Sequence, residues 1–156
     1  MGCSESRKTS DNFSQYSGKD IQKFQFEVYA ALKQNNFAKV KDLIPRKIGA
    51  NYKMPYFMGK TALHIAAEFS DRKMIAYLLS CGADENALDN SGCPPVYAGM
   101  RNGNLEAVNA ILENGSKVNM DIITNHNLQF HDFITQNKYK ESLALLKKYN
   151  YNKLKY

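Results

Sequence analysis

The sequence has no apolar run near the roughly 20 residues that a membrane-spanning helix requires. Its first residues also lack the apolar core of a secretory signal, so we expect a cytoplasmic protein. Cysteine is scarce: Cys3, Cys81 and Cys93 form no C-x-x-C pair. An odd number of cysteines argues against a disulfide framework and predicts reduced thiols.

Signatures of catalysis and metal binding are also missing. The chain has no P-loop, no G-x-G-x-x-G, no G-x-S-x-G and no kinase signature. Its three histidines, His64, His126 and His131, have no cysteine or second acidic residue at the spacing of metal ligands. We therefore expect no enzymatic activity, no cofactor, no metal site and no small-molecule substrate.

Positive charge is abundant, but little of it is arginine. The net charge is +6 with only four arginines, whereas nucleic-acid readers usually cluster Arg and Lys on one face. Residues 21–55 hold seven basic and two acidic residues, a net +5, and residues 122–156 hold six and two, a net +4. The segment between them is acidic. Both ends of the chain are thus basic, and we do not expect a nucleic-acid partner.

An internal repeat dominates the middle of the chain. Residues 59–86 match residues 92–119 at an offset of 33, and Gly59 and Gly82 align with Gly92 and Gly115. Each copy reads as a glycine turn, a short helix of small residues, a polar break, a leucine-rich helix and a glycine stop. A repeat of this length predicts stacked supersecondary units.

Two stretches of the first copy resemble the ankyrin repeat family. Residues 59–68 read GKTALHIAAE, similar to the family motif G-x-T-P-L-H-x-A-A, and residues 78–87 read LLSCGADENA, similar to L-L-x-x-G-A-D-x-N-A. The resemblance implies an all-α solenoid of stacked helix-turn-helix modules. Because no module can bury its apolar face alone, stacking supplies the core.

The flanks extend the array to about four modules. We expect an amino-terminal cap repeat at 21–55 with a one-residue insertion near Pro45, clear repeats at 56–88 and 89–121, and a carboxy-terminal cap repeat at 122–150. Residues 1–20 are polar and rich in serine, which predicts a flexible tether, and residues 151–156 form a basic Tyr/Lys tail.

The motif assigns roles to Thr61 and His64. The resemblance implies that Thr61 caps the first helix of its module and that His64 makes hydrogen bonds within and between repeats. In the next module Pro94 and Tyr97 take these positions, so that network cannot form there. Either the scaffold has drifted, or these residues were reshaped for a partner.

The resemblance also implies a protein partner, bound on the concave surface of inter-repeat turns and first helices. Carried over position by position, the candidate contact residues are Tyr56, Phe57, Met58, Lys60, Glu68, Phe69, Asp89, Asn90, Ser91, Arg101 and Asn102. The alternative for residues 54–58 is that they pack against the first cap.

The first six residues, Met-Gly-Cys-Ser-Glu-Ser, fit the N-myristoylation pattern M-G-x-x-x-[ST]. This start is similar to those of dual-acylated proteins, which implies a myristate on Gly2 and a reversible palmitate on Cys3. The alternative is a chance match in a serine-rich leader. One myristoyl chain binds membranes only marginally, so Cys3 and the basic repeat at 21–55 would supply a second signal.

These features together predict a non-enzymatic adaptor on the inner face of a membrane, monomeric outside its complex. The alternative is a structural subunit of a large cytoskeletal or ciliary assembly, in which the basic caps meet the acidic surface of microtubules.

Overall fold

The structure, a computed structural model, describes residues 16–115 and 118–119. These residues form six α-helices: α1 (Gly18–Lys33), α2 (Phe37–Leu43), α3 (Ala62–Phe69), α4 (Arg72–Ser80), α5 (Pro95–Arg101) and α6 (Leu105–Asn114). Within the described part of the chain, every helix is too short or too polar to cross a membrane. The cap repeat predicted at 122–150 and the tail at 151–156 lie outside the described residues and stay predictions.

The helices pair in sequence and stack in two rows. The inner row consists of α1, α3 and α5. The outer row consists of α2, α4 and α6: α4 packs on α6, and Phe37 of α2 contacts Tyr77 of α4 with ring centroids 5.2 Å apart. Large apolar side chains fill the space between the rows, and Leu32, Leu63, Ile75, Leu78 and Ile111 are completely buried. Because each pair contributes one face to this shared core, the described residues form the all-α repeat solenoid that the sequence predicts.

The outer helices begin with the same device. Asn36, Asp71 and Asn104 are their N-caps, and each side chain accepts a hydrogen bond from the backbone N–H three residues later, at 3.1, 2.9 and 3.2 Å. Asn104 also donates from Nδ2 to the carbonyl oxygen of Ser70 at 2.9 Å. That second bond ties the third module to the module before it.

The first inner helix is longer than the others and begins earlier than expected. Ser17 and Asp20 form a capping box: the Ser17 N–H donates to Asp20 Oδ2 at 3.1 Å, and the Asp20 N–H donates to Ser17 Oγ at 3.3 Å. Because these bonds satisfy the free amides of a helix start, α1 begins at Gly18, inside the segment 1–20 predicted to be a flexible tether. Residues 1–15 lie outside the described residues.

A π-helical turn over Ile44–Ile48 follows α2, at the place of the insertion predicted near Pro45. It closes with a hydrogen bond from the Gly49 N–H to the Ile44 carbonyl at 2.9 Å, a five-residue step. Such a turn accommodates an extra residue without breaking the helix axis. Gly49 then ends the helix with φ 71°, as Gly82 ends α4 with φ 81°.

The unusual residues of the third module are buried. Pro94 is the N-cap of α5 and Pro95 its first residue, where the missing N–H costs no hydrogen bond. Tyr97 is only 5% exposed and Met100 is completely buried. These positions pack inside the stack, which favours drift of the scaffold over reshaping for a partner.

Candidate protein-binding surface

A cluster of five aromatic side chains lies on the side formed by the inner helices and the inter-module turns, which is the concave side of such a stack. Tyr29 stacks on Phe57 with ring centroids 4.4 Å apart and lies 6.3 Å from Phe69. Phe26 contacts Phe57 at 5.2 Å and Tyr56 at 5.9 Å. We call these five residues the aromatic surface.

The aromatic surface is open to solvent. Tyr56 is 58% exposed, Phe26 49% and Phe69 37%, and the neighbouring Met58 is 59% exposed. Single exposed apolar residues need no explanation, but contiguous ones usually mark an interaction site. Aromatic and methionine side chains are also enriched in protein interfaces.

The turn that carries Tyr56, Phe57 and Met58 is held rigidly. Met54, at its base, is 1% exposed and donates its N–H to the Lys60 carbonyl at 3.0 Å. The sequence left two interpretations of residues 54–58, contact with a partner or packing against the first cap, and each applies to part of the segment. Met54 packs into the stack and Phe57 packs on α1, whereas Tyr56 and Met58 face solvent.

Successive turns are joined at Met58 and Asn90. The Asn90 N–H donates to the Met58 carbonyl at 2.9 Å. Gly59 has φ 69°, and a Cβ at this position would lie 2.2 Å from Asn90 Oδ1. Only glycine suits both the left-handed backbone and this close approach.

Glu68 is the hub of an ion-pair network beneath this surface. Its Oε1 accepts from Lys60 Nζ at 2.6 Å and from Arg101 at 3.0 Å, and its carbonyl accepts from Asn102 Nδ2 at 3.3 Å. The Glu68 side chain is only 5% exposed, and that of Lys60 15%. Of these four predicted contact residues, the structure therefore presents Arg101 and Asn102 to solvent, while Glu68 links two modules.

The second inter-module turn is shaped by Asp89. Its Oδ1 accepts from the N–H groups of Ser91 at 2.8 Å and Cys93 at 3.0 Å. Asn90 is exposed, whereas Asp89 and Ser91 are half-buried. This turn contributes polar groups beside the aromatic surface.

Two residues of the aromatic surface, Phe26 and Tyr29, are absent from the sequence-based contact set. Together with Lys33 they follow a spacing of three and four residues, which places side chains on one face of a helix. This spacing is the feature of the sequence that could have identified Phe26 and Tyr29 as contact residues. It becomes visible only when the helix is extended upstream of Ala30, and the pattern that marks its start, Ser17-Gly18-Lys19-Asp20, lies within the segment expected to be a tether.

His64 joins the second and third modules as the motif implies. Its Nδ1 accepts the Thr61 N–H at 3.1 Å, and its Nε2 lies 2.9 Å from the Cys93 carbonyl oxygen. A carbonyl can only accept, so Nε2 carries the proton. Burial lowers the pKa of His64, against the opposing effect of its Cys93 bond and of Asp89. The ring is therefore neutral.

The two cysteines in the described part of the chain lie inside the stack. Cys81 and Cys93 are buried, and burial raises the pKa of the Cys93 thiol to about 11. A protonated thiol is a poor nucleophile and a poor metal ligand. Across residues 16–115 and 118–119, no three His, Cys, Asp or Glu side chains are grouped to hold a metal ion.

The outer face of the first two modules is basic. Lys39 and Lys41 are exposed on α2, and Lys73 is exposed on α4. The Nζ atoms of Lys73 and Lys41 lie 4.7 and 5.9 Å from the centroid of the Phe37 ring. This basic outer face, Lys39, Lys41 and Lys73, lies on the opposite side of the stack from the aromatic surface.

Comparison with known families agrees with this architecture. The family described as ankyrin repeats (3 copies) matches residues 28–122, more than half of the chain. The chain belongs to the ankyrin repeat family. Ankyrin repeats are in general non-enzymatic modules for protein–protein interaction, so the prediction of a protein-binding module is confirmed at that level.

Individual relatives are similar to this chain over only part of their own length, 6–27% for the three described here. An ankyrin repeat protein of Acanthamoeba polyphaga mimivirus is 45% identical over 49 residues, 31% of this chain and 7% of that protein. One from fowlpox virus is 42% identical over 50 residues, 31% of this chain and 27% of that protein. The inactive serine/threonine-protein kinase TEX14 of Bos taurus is 31% identical over 94 residues, 60% of this chain and 6% of that protein.

Proposed function

We propose that this ankyrin repeat protein is a non-enzymatic adaptor that binds a partner protein through its aromatic surface. The observation that carries the proposal is a set of exposed apolar side chains on the concave side. Phe26 and Phe69 lie on inner helices, and Tyr56 and Met58 lie on a turn held by backbone hydrogen bonds. Rigid aromatic anchors lose little conformational entropy on binding.

A comparison of variants tests this binding. Tyr56→Ser combined with Met58→Ser removes two exposed side chains, and Glu106→Ser changes an exposed residue of α6 as a matched control. We expect the double variant to lose a defined co-purifying protein that the Glu106 variant retains, with both still folded by circular dichroism. Equal retention by both variants would place the interaction elsewhere on the molecule.

The adaptor, in our proposal, is tethered to the cytoplasmic face of a membrane by myristate on Gly2 and palmitate on Cys3. Both residues lie outside the described part of the chain, so the support is the opening Met-Gly-Cys-Ser-Glu-Ser. The basic outer face supports the proposal further, because each lysine near an anionic membrane contributes about 1 kcal/mol. Membrane and partner would then meet opposite sides of the solenoid.

The tether is tested by an intact-mass spectrum of the protein from its own cell, before and after hydroxylamine. We expect loss of Met1, a myristoyl mass, and a palmitoyl mass that hydroxylamine removes. Gly2→Ala should move the protein to the soluble fraction, whereas Ser4→Ala, at an unrestricted position of the motif, should not. A detergent-resistant pellet that is unchanged by Gly2→Ala would instead favour the cytoskeletal or ciliary subunit.

A further inference from the structure

We infer that the segment bound by this surface is acidic, with an apolar side chain flanked by carboxylates. The inference rests on the proposed function, because it specifies the partner of the same surface. Its basis is the arrangement of charge around the exposed rings.

The ends of the three inner helices form a row of alternating character. Lys33, Phe69 and Arg101 are the last residues of α1, α3 and α5. The Nζ of Lys33 lies 5.8 Å from the centroid of the Phe69 ring. The Arg101 side chain is 50% exposed. A bound segment would therefore meet a cation, an aromatic ring and a second cation in succession.

Two carboxylates lie close to this row. Asp71, two residues after Phe69, accepts a hydrogen bond from Asn35 Nδ2 at 2.7 Å, and the charge of Lys73 offsets its negative charge.

The second carboxylate is paired with two cations. Glu68 lies beneath the row, 5% exposed, and its Oε1 accepts from both Lys60 and Arg101. One carboxylate between two cations leaves one positive charge in excess, and Lys33 adds another. The row thus repels a basic segment and attracts an acidic one.

The charges of the second inter-module turn and of Lys23 and Glu27 on α1 do not reverse the excess of positive charge. The Asp89 carboxylate accepts hydrogen bonds from the N–H groups of Ser91 and Cys93 but keeps its negative charge, which lowers the excess from two positive charges to one. On α1, Glu27 lies 4.0 Å from Lys23, and the two charges cancel. The excess of positive charge therefore persists across the described part of the surface.

The spacing of the row sets the pattern of the bound segment. Packed helices lie about 8–10 Å apart, so the ends of α1 and α5 are separated by roughly 16–20 Å. An extended chain advances about 3.3 Å per residue and covers that distance in five or six residues. An apolar residue with acidic residues two or three positions to either side matches the row.

The experiment measures binding of three fluorescein-labelled nonapeptides to the full chain by fluorescence anisotropy. All three carry a central phenylalanine, which is flanked by glutamates, serines or lysines. We expect the glutamate peptide to bind about tenfold more tightly than the serine peptide, with the lysine peptide weakest. Phe69→Ala and Lys33→Glu should each weaken the glutamate peptide at least about fivefold.

Lys19→Glu is the matched control. It makes the same charge change on the same helix, at an exposed site 14 residues away, or about 21 Å along the helix axis. It should leave the affinity within about twofold, and circular dichroism confirms that each variant is folded.

Each other outcome overturns the inference in a distinct way. Tighter binding of the serine or lysine peptide, still lost in Phe69→Ala, contradicts the acidic partner and leaves the protein-binding surface in place. If none of the three peptides binds, the inference of an acidic partner is also contradicted. The co-purification test then decides separately whether the surface binds a protein. The last outcome concerns phosphatidylserine vesicles. If they retain the unacylated protein, and Lys33→Glu but not Lys19→Glu abolishes this retention, the ligand of the surface is a lipid instead.

Discussion

The Nε2 atom of His64 lies 2.9 Å from the carbonyl oxygen of Cys93, and this contact joins the second module to the third. The imidazole is completely buried, and its other nitrogen accepts from the Thr61 N–H at 3.1 Å and lies 2.9 Å from the Thr61 hydroxyl oxygen. One side chain thereby fixes both the start of α3 and the position of the next inter-module turn. Because charging the ring would place a proton on the nitrogen that accepts from Thr61, the contact requires neutral histidine.

Stability should therefore fall at mildly acidic pH. Burial lowers the pKa of His64 in the folded state, although Asp89 and Glu68 oppose the shift and Lys60 adds to it. Below about pH 6.5 the unfolded chain takes up a proton that the folded ring does not, so the stabilisation present above that pH is progressively lost.

The comparison of wild type with His64→Gln checks this by urea unfolding at pH 7.5, 6.5 and 5.5. We expect the variant to be less stable by about 1–3 kcal/mol at pH 7.5. The difference in free energy of unfolding between the two proteins should become smaller as the pH falls. His126 and His131 do not contribute to this difference, because both proteins contain them. A gap that stays constant with pH would show that His64 does not titrate on unfolding.

Gly59→Ala should cost more stability than Gly82→Ala. Both glycines have positive φ, 69° and 81°, so each substitution carries the backbone strain of about 1–2 kcal/mol. At Gly82 the new Cβ meets nothing within 4 Å, whereas at Gly59 it would lie 2.2 Å from Asn90 Oδ1. We expect Gly59→Ala to lower the free energy of unfolding by at least about 1 kcal/mol more than Gly82→Ala does, as measured by denaturant unfolding. Equal losses of stability would mean that the exposed Asn90 side chain moves aside at no cost.

Glu68→Gln should destabilise the stack through the loss of one charge. The Lys60 side chain, 15% exposed, would lose its carboxylate, and a cost of about 2 kcal/mol follows for a partly buried charged hydrogen bond. The control is Glu27→Gln, which removes a helix-surface pair with Lys23 and should cost less than about 0.5 kcal/mol. Similar melting temperatures for the two variants would argue that Glu68 contributes no more than a surface carboxylate.

The sequence is most informative where the repeat is regular. The 33-residue offset between Gly59 and Gly92 predicts the helix pairs α3–α4 and α5–α6. This is possible because each residue of the motif has a local structural role, as a turn residue, a helix cap or a site of close approach. The insertion near Pro45 is also readable, since it changes the spacing of the polar break and the glycine stop. Its form, a π-helical turn, depends on packing beyond the local sequence.

The candidate surface is less predictable, because its residues meet only in the stack. Tyr56 and Met58 follow from the motif, whereas their neighbour Phe26 comes from a helix 30 residues earlier with no repeat signature. Glu68 shows the opposite failure. It occupies a position that often faces a partner, but Lys60 and Arg101 approach it from eight and 33 residues away and cover its charge.

The central claim, that the concave aromatic surface binds a protein, is tested most directly by site-specific photocrosslinking in the native cell. A photoreactive phenylalanine analogue replaces Met58 on the aromatic side or Glu106 on the outer side; both positions are exposed. We predict a discrete adduct from position 58 that disappears when Phe26→Ser is added, and no such adduct from position 106. The same adducts from both positions, or none from position 58, would contradict the claim.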